Sequence, residues 1–478
     1  TAKETPHSEK AIRALAAARA LPAFHWSFEF PEVFEQGGFN AFVGNPPFQG
    51  GQKITSTLGT LYRDFLIDNL ANGKRGSADL CVYFFLKAGG LLKPAGYFGL
   101  IATNSIAQAV SKEVGLDQLV EKGFSIIRAI PSQKWPGIAA LEVAITWVKK
   151  GHWKGSFVLN DQNVNAISSF LSADGSGSGN PFPLAANSGK SFMGSTVLGS
   201  GFVLNSREAT EIIERSAKNR DVLFPYLIGA DINSDPLSRP SRWVINFHDW
   251  PLEKAETYPD CIEIVRTKVK PERDANTYSQ SAKERWWLYE RSRPELYSAI
   301  SEHKRVLVIA LTSNTLAFTF LPTGIVFSHA TIVLAHDDYQ HFCLLQSSIH
   351  TEWARKHGSS MKKDARYTAS DCYETFPFPK TIESLEQFGL DYFSYRQEIL
   401  LARNEGLTSV YGRMNDPRET SPDVMELRNR HMLMDYAVAE VYEWSDLDLN
   451  HDFFETKQGV RYTISEPARR EVLARLLQ

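Results

Sequence analysis

The sequence predicts an α/β fold at its amino-terminal end that passes into an α+β module and then into a helical carboxyl-terminal region. Three observations carry this. The apolar run Phe39–Val43 stops on Gly44-Asn45-Pro46-Pro47-Phe48, the pattern of a buried strand delivering a rigid polar loop. Helical and strand-like apolar runs then alternate to about residue 150. Beyond a Gly/Ser/Asn-rich stretch, Ser168–Asn180, the chain turns rich in Trp, Tyr, Arg and Pro with short strand-like runs, and from residue 381 it reads as mostly helical.

In chain order, residues 1–21 carry Ala, Leu, Lys and Arg in a helical pattern that Pro22 closes. After the Phe39–Val43 strand come two helices, 61–73 and 78–92, the second nearly all apolar and therefore buried. Lys93-Pro94-Ala95-Gly96 reads as a turn into the strand Tyr97–Thr103. Two further strands, Ser125–Ile130 and Leu141–Val148, flank Trp135-Pro136-Gly137, and so short a connection implies an antiparallel hairpin. In the second half the strand-like runs are Arg242–Phe247, Arg305–Ala310 and Thr331–Ala335. In the last, Val424, Leu427, His431, Met434, Val438 and Val441 recur along one helix face, so a packed core helix is expected, with His431 a core histidine.

Composition sets outer bounds. A chain of 478 residues with 43% hydrophobic content has the makeup of a soluble globular protein with room for two or three domains. No apolar run is long enough to span a bilayer and Thr1-Ala2-Lys3-Glu4 opens no signal peptide, so the cytoplasm is the expected compartment. Cys81, Cys261, Cys343 and Cys372 lie far apart without a Cys-x-x-Cys pair, which argues for free thiols and against zinc; the histidines are equally scattered, and no metal is expected. A net charge of -3 means that any contact with nucleic acid must come from local basic patches.

The chemistry expected of the Asn45 loop follows from its donors and acceptors. Pro46 holds Asn45 extended, and two successive prolines remove two backbone donors, leaving an acceptor-rich loop. The Asn45 side-chain oxygen and the Pro46 carbonyl can together accept both hydrogens of one amino group, while Phe48 offers a face for a flat heterocycle. An exocyclic amine on a nucleobase fits, and accepting both hydrogens raises electron density on a weak nucleophile. A Pro-Pro turn closing a strand is the plain alternative.

Asn45-Pro46-Pro47-Phe48 after a strand resembles the catalytic motif of amino-group, adenine-specific DNA methyltransferases that use S-adenosylmethionine. The flanks, Phe24-His25-Trp26-Ser27-Phe28-Glu29-Phe30-Pro31-Glu32-Val33-Phe34 and Phe48-Gln49-Gly50-Gly51, are similar to the large enzymes of type IIG and IIL restriction-modification systems and of the DISARM and BREX defence systems. The resemblance implies catalytic roles for Asn45, Pro46, Pro47 and Phe48, with S-adenosylmethionine as cofactor and double-stranded DNA as partner. It also implies that residues 1–155 are the carboxyl-terminal half of a Rossmann-like methyltransferase sheet. By position Trp135 inherits an aromatic place against the flipped base beside Phe48; packing on the sheet is the other reading. Neither the glycine-rich cofactor loop nor the ribose-binding acid of such a sheet is found: Gly175-Ser176-Gly177-Ser178-Gly179 follows no strand, Gly73-Lys74-Arg75-Gly76 lies between helices, and Gly189-Lys190-Ser191 lacks the earlier glycine of a phosphate loop. The expected remainder is an upstream methyltransferase segment or a partner subunit.

Phrases such as Pro225-Tyr226-Leu227-Ile228-Gly229, Lys270-Pro271-Glu272-Arg273 and Phe376-Pro377-Phe378-Pro379 resemble the target recognition domain of the same enzymes, here an α+β domain over 156–380, followed by a helical tail over 381–478. Phosphate contacts are expected from Lys268, Lys270 and Arg273, from Arg285 beside Trp286-Trp287, and from Lys362, Lys363 and Arg366 around Gly358-Ser359-Ser360. Taken singly, each of these is also an ordinary solvated charge. The expected activity is methyl transfer to the amino group of a flipped adenine in a restriction-modification or phage-defence system. A specificity subunit without catalysis is the main alternative, and methylation of a protein glutamine amide a weaker one, since it has little use for a basic, aromatic recognition module.

Overall fold

A computed structural model describes residues 24–135, 141–173, 181–275, 280–361, 364–456 and 458–477. The chain divides into two units, Thr1–Ser178 and Gly179–Gln478. The helix expected over 1–21, the Pro136-Gly137 pair, most of the Ser168–Asn180 stretch, Lys362 and Lys363 lie outside the described residues.

The first unit opens with short helices α1 (Trp26–Glu29) and α2 (Pro31–Glu35), strand β1 (Phe39–Gly44), helices α3 (Gly51–Leu58), α4 (Thr60–Asn69) and α5 (Leu80–Leu91), and strand β2 (Leu92–Thr103). Helices α6 (Ala109–Val114) and α7 (Leu116–Glu121) precede β3 (Phe124–Lys134), β4 (Glu142–Lys150), β5 (Phe157–Leu159) and β6 (Gln162–Val164). The strands form one sheet in the order β1-β2-β4-β3-β5-β6. β1 runs parallel to β2, and β4 lies antiparallel to both β2 and β3, which is the expected hairpin.

Burial alternates along the strands because one face packs on the helices. Phe98, Leu100, Ala102, Ala144 and Val148 share a core with Val82, Phe85 and Leu86 of α5. The opposite face carries Val43, 92% exposed, and Tyr97, 39% exposed. The turn expected at Lys93–Gly96 is instead a bulge within β2: Phe39 pairs with Leu92 and Ala41 with Tyr97, so residues 93–96 loop out opposite Asn40. Ala95 takes φ 65°, the left-handed conformation that lets the chain rejoin the ladder. The aromatic run ahead of β1 covers its start: Trp26 meets Phe39 and Phe42 edge-on at 5.4 and 5.5 Å, and Phe30 and Phe34 close on Phe39 at 5.6 and 5.8 Å.

The second unit holds β7 (Ser191–Met193), β8 (Val203–Leu204), α8 (Ser206–Arg215), β9 (Leu223–Leu227), α9 (Gly229–Ser234), β10 (Arg242–Ile245), α10 (Leu252–Ala255), α11 (Pro259–Ala275), α12 (Gln280–Glu284) and α13 (Pro294–Ala299). It continues through β11 (Arg305–Ala310), β12 (Thr312–Ser313), β13 (Thr319–Pro322), β14 (Val326–Phe327), β15 (Thr331–Leu334), α14 (Tyr339–Gln346), α15 (Ser348–His357), β16 (Ser359–Met361) and β17 (Asp364–Arg366). Helices α16 (Glu386–Arg403), α17 (Leu407–Met414) and α18 (Pro422–Val441), strands β18 (Asp452–Thr456) and β19 (Gly459–Thr463), and helix α19 (Glu466–Leu476) complete it.

Two sheets, β14-β9-β10-β8 and β13-β11-β15-β7, are each mostly antiparallel. Leu307, Ile309 and Val333 of the second sheet share one core with Phe342, Tyr392, Leu400, Leu427 and Val438 of the helices, so strands and carboxyl-terminal helices are stabilised together. The α18 stripe is buried from Val424 to Val438, with Val441 half-buried at its end; His431 is 6% exposed and meets the Ser348 hydroxyl at 3.2 Å. Residues 381–478 are not wholly helical, for β18 and β19 pair as a hairpin, with Gly459 at φ 93° opening the return strand.

Candidate active site and basic surface

β1 delivers its loop at the carboxyl end of the sheet, where Gly44 pairs with Leu100. Asn45 and Pro47 are exposed, Pro46 is buried and Phe48 is half-buried against the core. Among the described residues neither the Asn45 side chain nor the Pro46 carbonyl accepts a hydrogen bond, so both remain available to an incoming amine. The loop is anchored just beyond: the Gln49 amide donates to Asp79 Oδ1 at 3.1 Å, and the Gln49 carbonyl accepts from the Leu80 amide at 2.9 Å.

Trp135, at the end of β3, is held by its amide donating to the Leu141 carbonyl at 3.0 Å. Its ring stands 6.3 Å from that of Phe48 at 84°. The two rings make a corner and leave no parallel slot between them. A flat heterocycle stacked on one ring face meets the other ring with its edge. Beside this corner the Glu142 carboxylate accepts from Asn104 Nδ2 at 3.4 Å and from the Ser132 hydroxyl.

The uncovered sheet face bears an open groove of about 540 Å³ lined by Ala41, Val43, Tyr97, Gly99, Ile101 and Trp147, among others. Carbon dominates this lining. It has little with which to hold a charged small molecule, and it is the kind of surface that another polypeptide segment covers. Among the described residues β1 is the sheet's edge.

The basic residues of the second unit fare unequally. Arg273 does not face solvent: it is 2% exposed, and its guanidinium donates to the carbonyls of Val197, Leu198, Ala282, Arg285, Trp286 and Leu288 at 2.7–3.3 Å. The phosphate contact expected of Arg273 is therefore corrected: it is a buried cross-brace that ties α11 to the segment between β7 and β8, to α12 and to the residues after it. Burial pulls its guanidinium below the ordinary arginine value. Lys270 is on the surface but pairs with Asp274 at 2.8 Å, and Arg266 is shared between Glu256 and Glu263. Lys268 and Arg285 are exposed. Arg366 is half-buried in β17 opposite Thr312 and Ser359, and its Nε has no hydrogen-bond partner among the described residues.

Two groupings escaped the sequence reading. Asp79 reads from sequence as part of a helix, yet it is the residue that caps it; an Asp directly before an apolar helix was the available signal. His336, Asp338 and His341 bring possible metal-ligating atoms within 4.8 Å of one another. Asp338 is already engaged there as the cap of α14, accepting from the His341 amide at 2.8 Å and contacting its Nδ1 at 2.9 Å. The cysteines are free and buried, and among the described residues no helix is long and apolar enough to cross a membrane.

Residues 2–126 match the Eco57I restriction-modification methylase family, and residues 185–380 match the MmeI target recognition domain. DNA methyltransferase A of Bacillus subtilis (strain 168) is 21% identical over 446 residues, which is 88% of this chain and 47% of that protein. The type IIL restriction-modification enzyme MmeI, solved in complex with DNA, has a similar fold with a TM-score of 0.67 at 20% identity, covering 87% of this chain and 56% of that one. The chain thus spans about half the length of the relatives it matches.

Proposed function

We propose, for a chain that joins a restriction-modification methylase segment to a MmeI-type target recognition domain, that it transfers a methyl group to the exocyclic amino group of a flipped adenine in double-stranded DNA. The observation that carries this reading is the pair of unengaged acceptors, Asn45 Oδ1 and the Pro46 carbonyl, presented beside the Phe48–Trp135 corner. Both amine hydrogens are taken by these oxygens, the base is held on one ring and bounded by the other, and the nitrogen lone pair is turned outward. Pro47 removes a competing donor. S-adenosylmethionine, when bound, supplies the electrophilic methyl group.

The residues of this chain fit the acceptor side of such a site alone. The cofactor's charged ends need polar partners that the carbon-lined groove does not offer. An upstream methyltransferase segment or partner subunit is therefore assigned the cofactor loop, pairing with the β1 edge and covering the uncovered face, so that residues 1–155 are the carboxyl-terminal half of a Rossmann-like sheet. Residues 179–380 read the target sequence, since 157–164 pair as β5 and β6 in the first sheet, with Lys268, Lys270, Arg285, Lys362, Lys363 and Arg366 as the candidates for phosphate contact, and 381–478 form the mostly helical region that supports them. DNA in the cytoplasm is the substrate, in a restriction-modification or phage-defence setting.

Asn45→Ala in the complete enzyme tests this reading. Methylation should fall by at least about a hundredfold while specific DNA binding stays near its parental value, because removing one preorganised partner of the reacting group costs about that much. Retained methyl transfer would sink the assignment. That β1 is an edge among the described residues also favours a second reading, a specificity subunit without catalysis; it gains if the chain joined to the proposed upstream segment or partner binds its DNA site but methylates nothing.

A further inference from the structure

Pro46 and Pro47 fix two backbone angles but offer no donor by which the loop could be tied down. The tie lies one residue beyond Phe48. Asp79 Oδ1 accepts the Gln49 amide at 3.1 Å and, with the same oxygen, the Cys81 amide at 3.1 Å, which caps α5. The Leu80 amide returns a bond to the Gln49 carbonyl at 2.9 Å. Asp79 is 8% exposed, so water competes little for either bond. Gly51 brings the two segments together: a Cβ there would fall 2.3 Å from the Ser77 carbonyl carbon and 2.6 Å from the Ala78 oxygen, so loop and helix start touch backbone to backbone. Capping α5 needs only the Cys81 bond. The bond to Gln49 crosses 30 residues of chain and does nothing for the helix.

We propose that Asp79 is a positioning residue for the methyl-transfer reaction: one carboxylate oxygen locks the loop that carries Asn45 and Phe48 to the amino-terminal end of α5, and so fixes the two amine acceptors where the target nitrogen must sit. This rests on the role given to Asn45–Phe48 above. Asp79 touches neither base nor cofactor in this assignment and acts through the loop, where a displacement of about 1 Å at the acceptors is enough for a loss of about a hundredfold.

The complete enzyme carries the test, with Tm, DNA Kd, kcat, KM and the fluorescence of 2-aminopurine at the target adenine measured for each variant. Asp79→Asn keeps an acceptor oxygen of the same reach and should retain both bonds and near-parental kcat. Asp79→Ser and Asp79→Thr keep a short cap oxygen for Cys81 but do not reach Gln49. They should hold Tm and Kd near parental while kcat falls about a hundredfold and the flipped-base signal changes. Asp79→Ala loses both bonds and should lower Tm as well. Full kcat in the serine or threonine variant, or a kcat that declines only in step with Tm across the series, overturns the proposal and leaves Asp79 a helix cap. The underlying reading fails separately, through an Asn45→Ala enzyme that still methylates.

Discussion

With the Arg273 guanidinium boxed in by backbone carbonyls, shortening the side chain strands buried acceptors, each costing about 1–3 kcal/mol. Arg273→Ala should therefore destabilise the second unit by at least about 3 kcal/mol, seen as an earlier denaturant midpoint in the tryptophan fluorescence of the full chain. Arg273→Lys should recover only part, because an ammonium cannot reproduce the planar fork of donors. An unchanged midpoint for the alanine variant would show that the box is not sealed. Its burial was legible in the sequence had spacing been weighed above charge. Cys261, Ile262, Val265, Val269 and Arg273 recur at helical steps and all are buried, whereas Lys268 and Lys270 fall off that stripe. Asn45–Phe48 was legible for the opposite reason: proline fixes a loop through local covalent geometry that needs no knowledge of the fold. The pairing of Phe48 with Trp135 came from the resemblance alone, and its 84° corner was not legible, since two rings 87 positions apart meet only through the β1-β2-β4-β3 order of the sheet.

At the scale of elements, the outer face of α11 is the clearest test of DNA binding. Removing the charges of Lys268 and Lys270 should weaken binding to all sequences alike and flatten the log-log salt dependence by up to about 0.9 for each phosphate no longer neutralised. Lys268 should account for more of the change, because Lys270 already has a partner in Asp274. A slope that does not move would mean that α11 faces solvent. The four longer strands of the first sheet were readable as apolar runs, and the antiparallel pairing of β3 with β4 follows from their short connection, whereas the insertion of β4 beside β2 does not. β5 and β6, three residues each, are too short for periodicity to register. The β18–β19 hairpin was missed because Phe453, Phe454 and Tyr462 were read within a helical region, although alternation around Gly459 was there to see.

For the whole molecule, the edge that β1 forms among the described residues and the carbon-lined groove make a quantitative demand. Calorimetry on this chain alone should find S-adenosylmethionine binding very weak, and supplying the proposed upstream segment or partner should make it tight while suppressing association through the β1 edge. Tight binding by the isolated, monomeric chain would show that the cofactor site has been misplaced. The shared core of the second unit has a different bearing, on how specificity could be traded between relatives. A chimaera spliced near residue 380 would part Leu307, Ile309 and Val333 from Tyr392, Leu400, Leu427 and Val438, leaving each donor half to repack against a stranger's side chains. A graft that carries Gly179–Gln478 as one block keeps that interior intact, so the strands travel best with the helices that share their core.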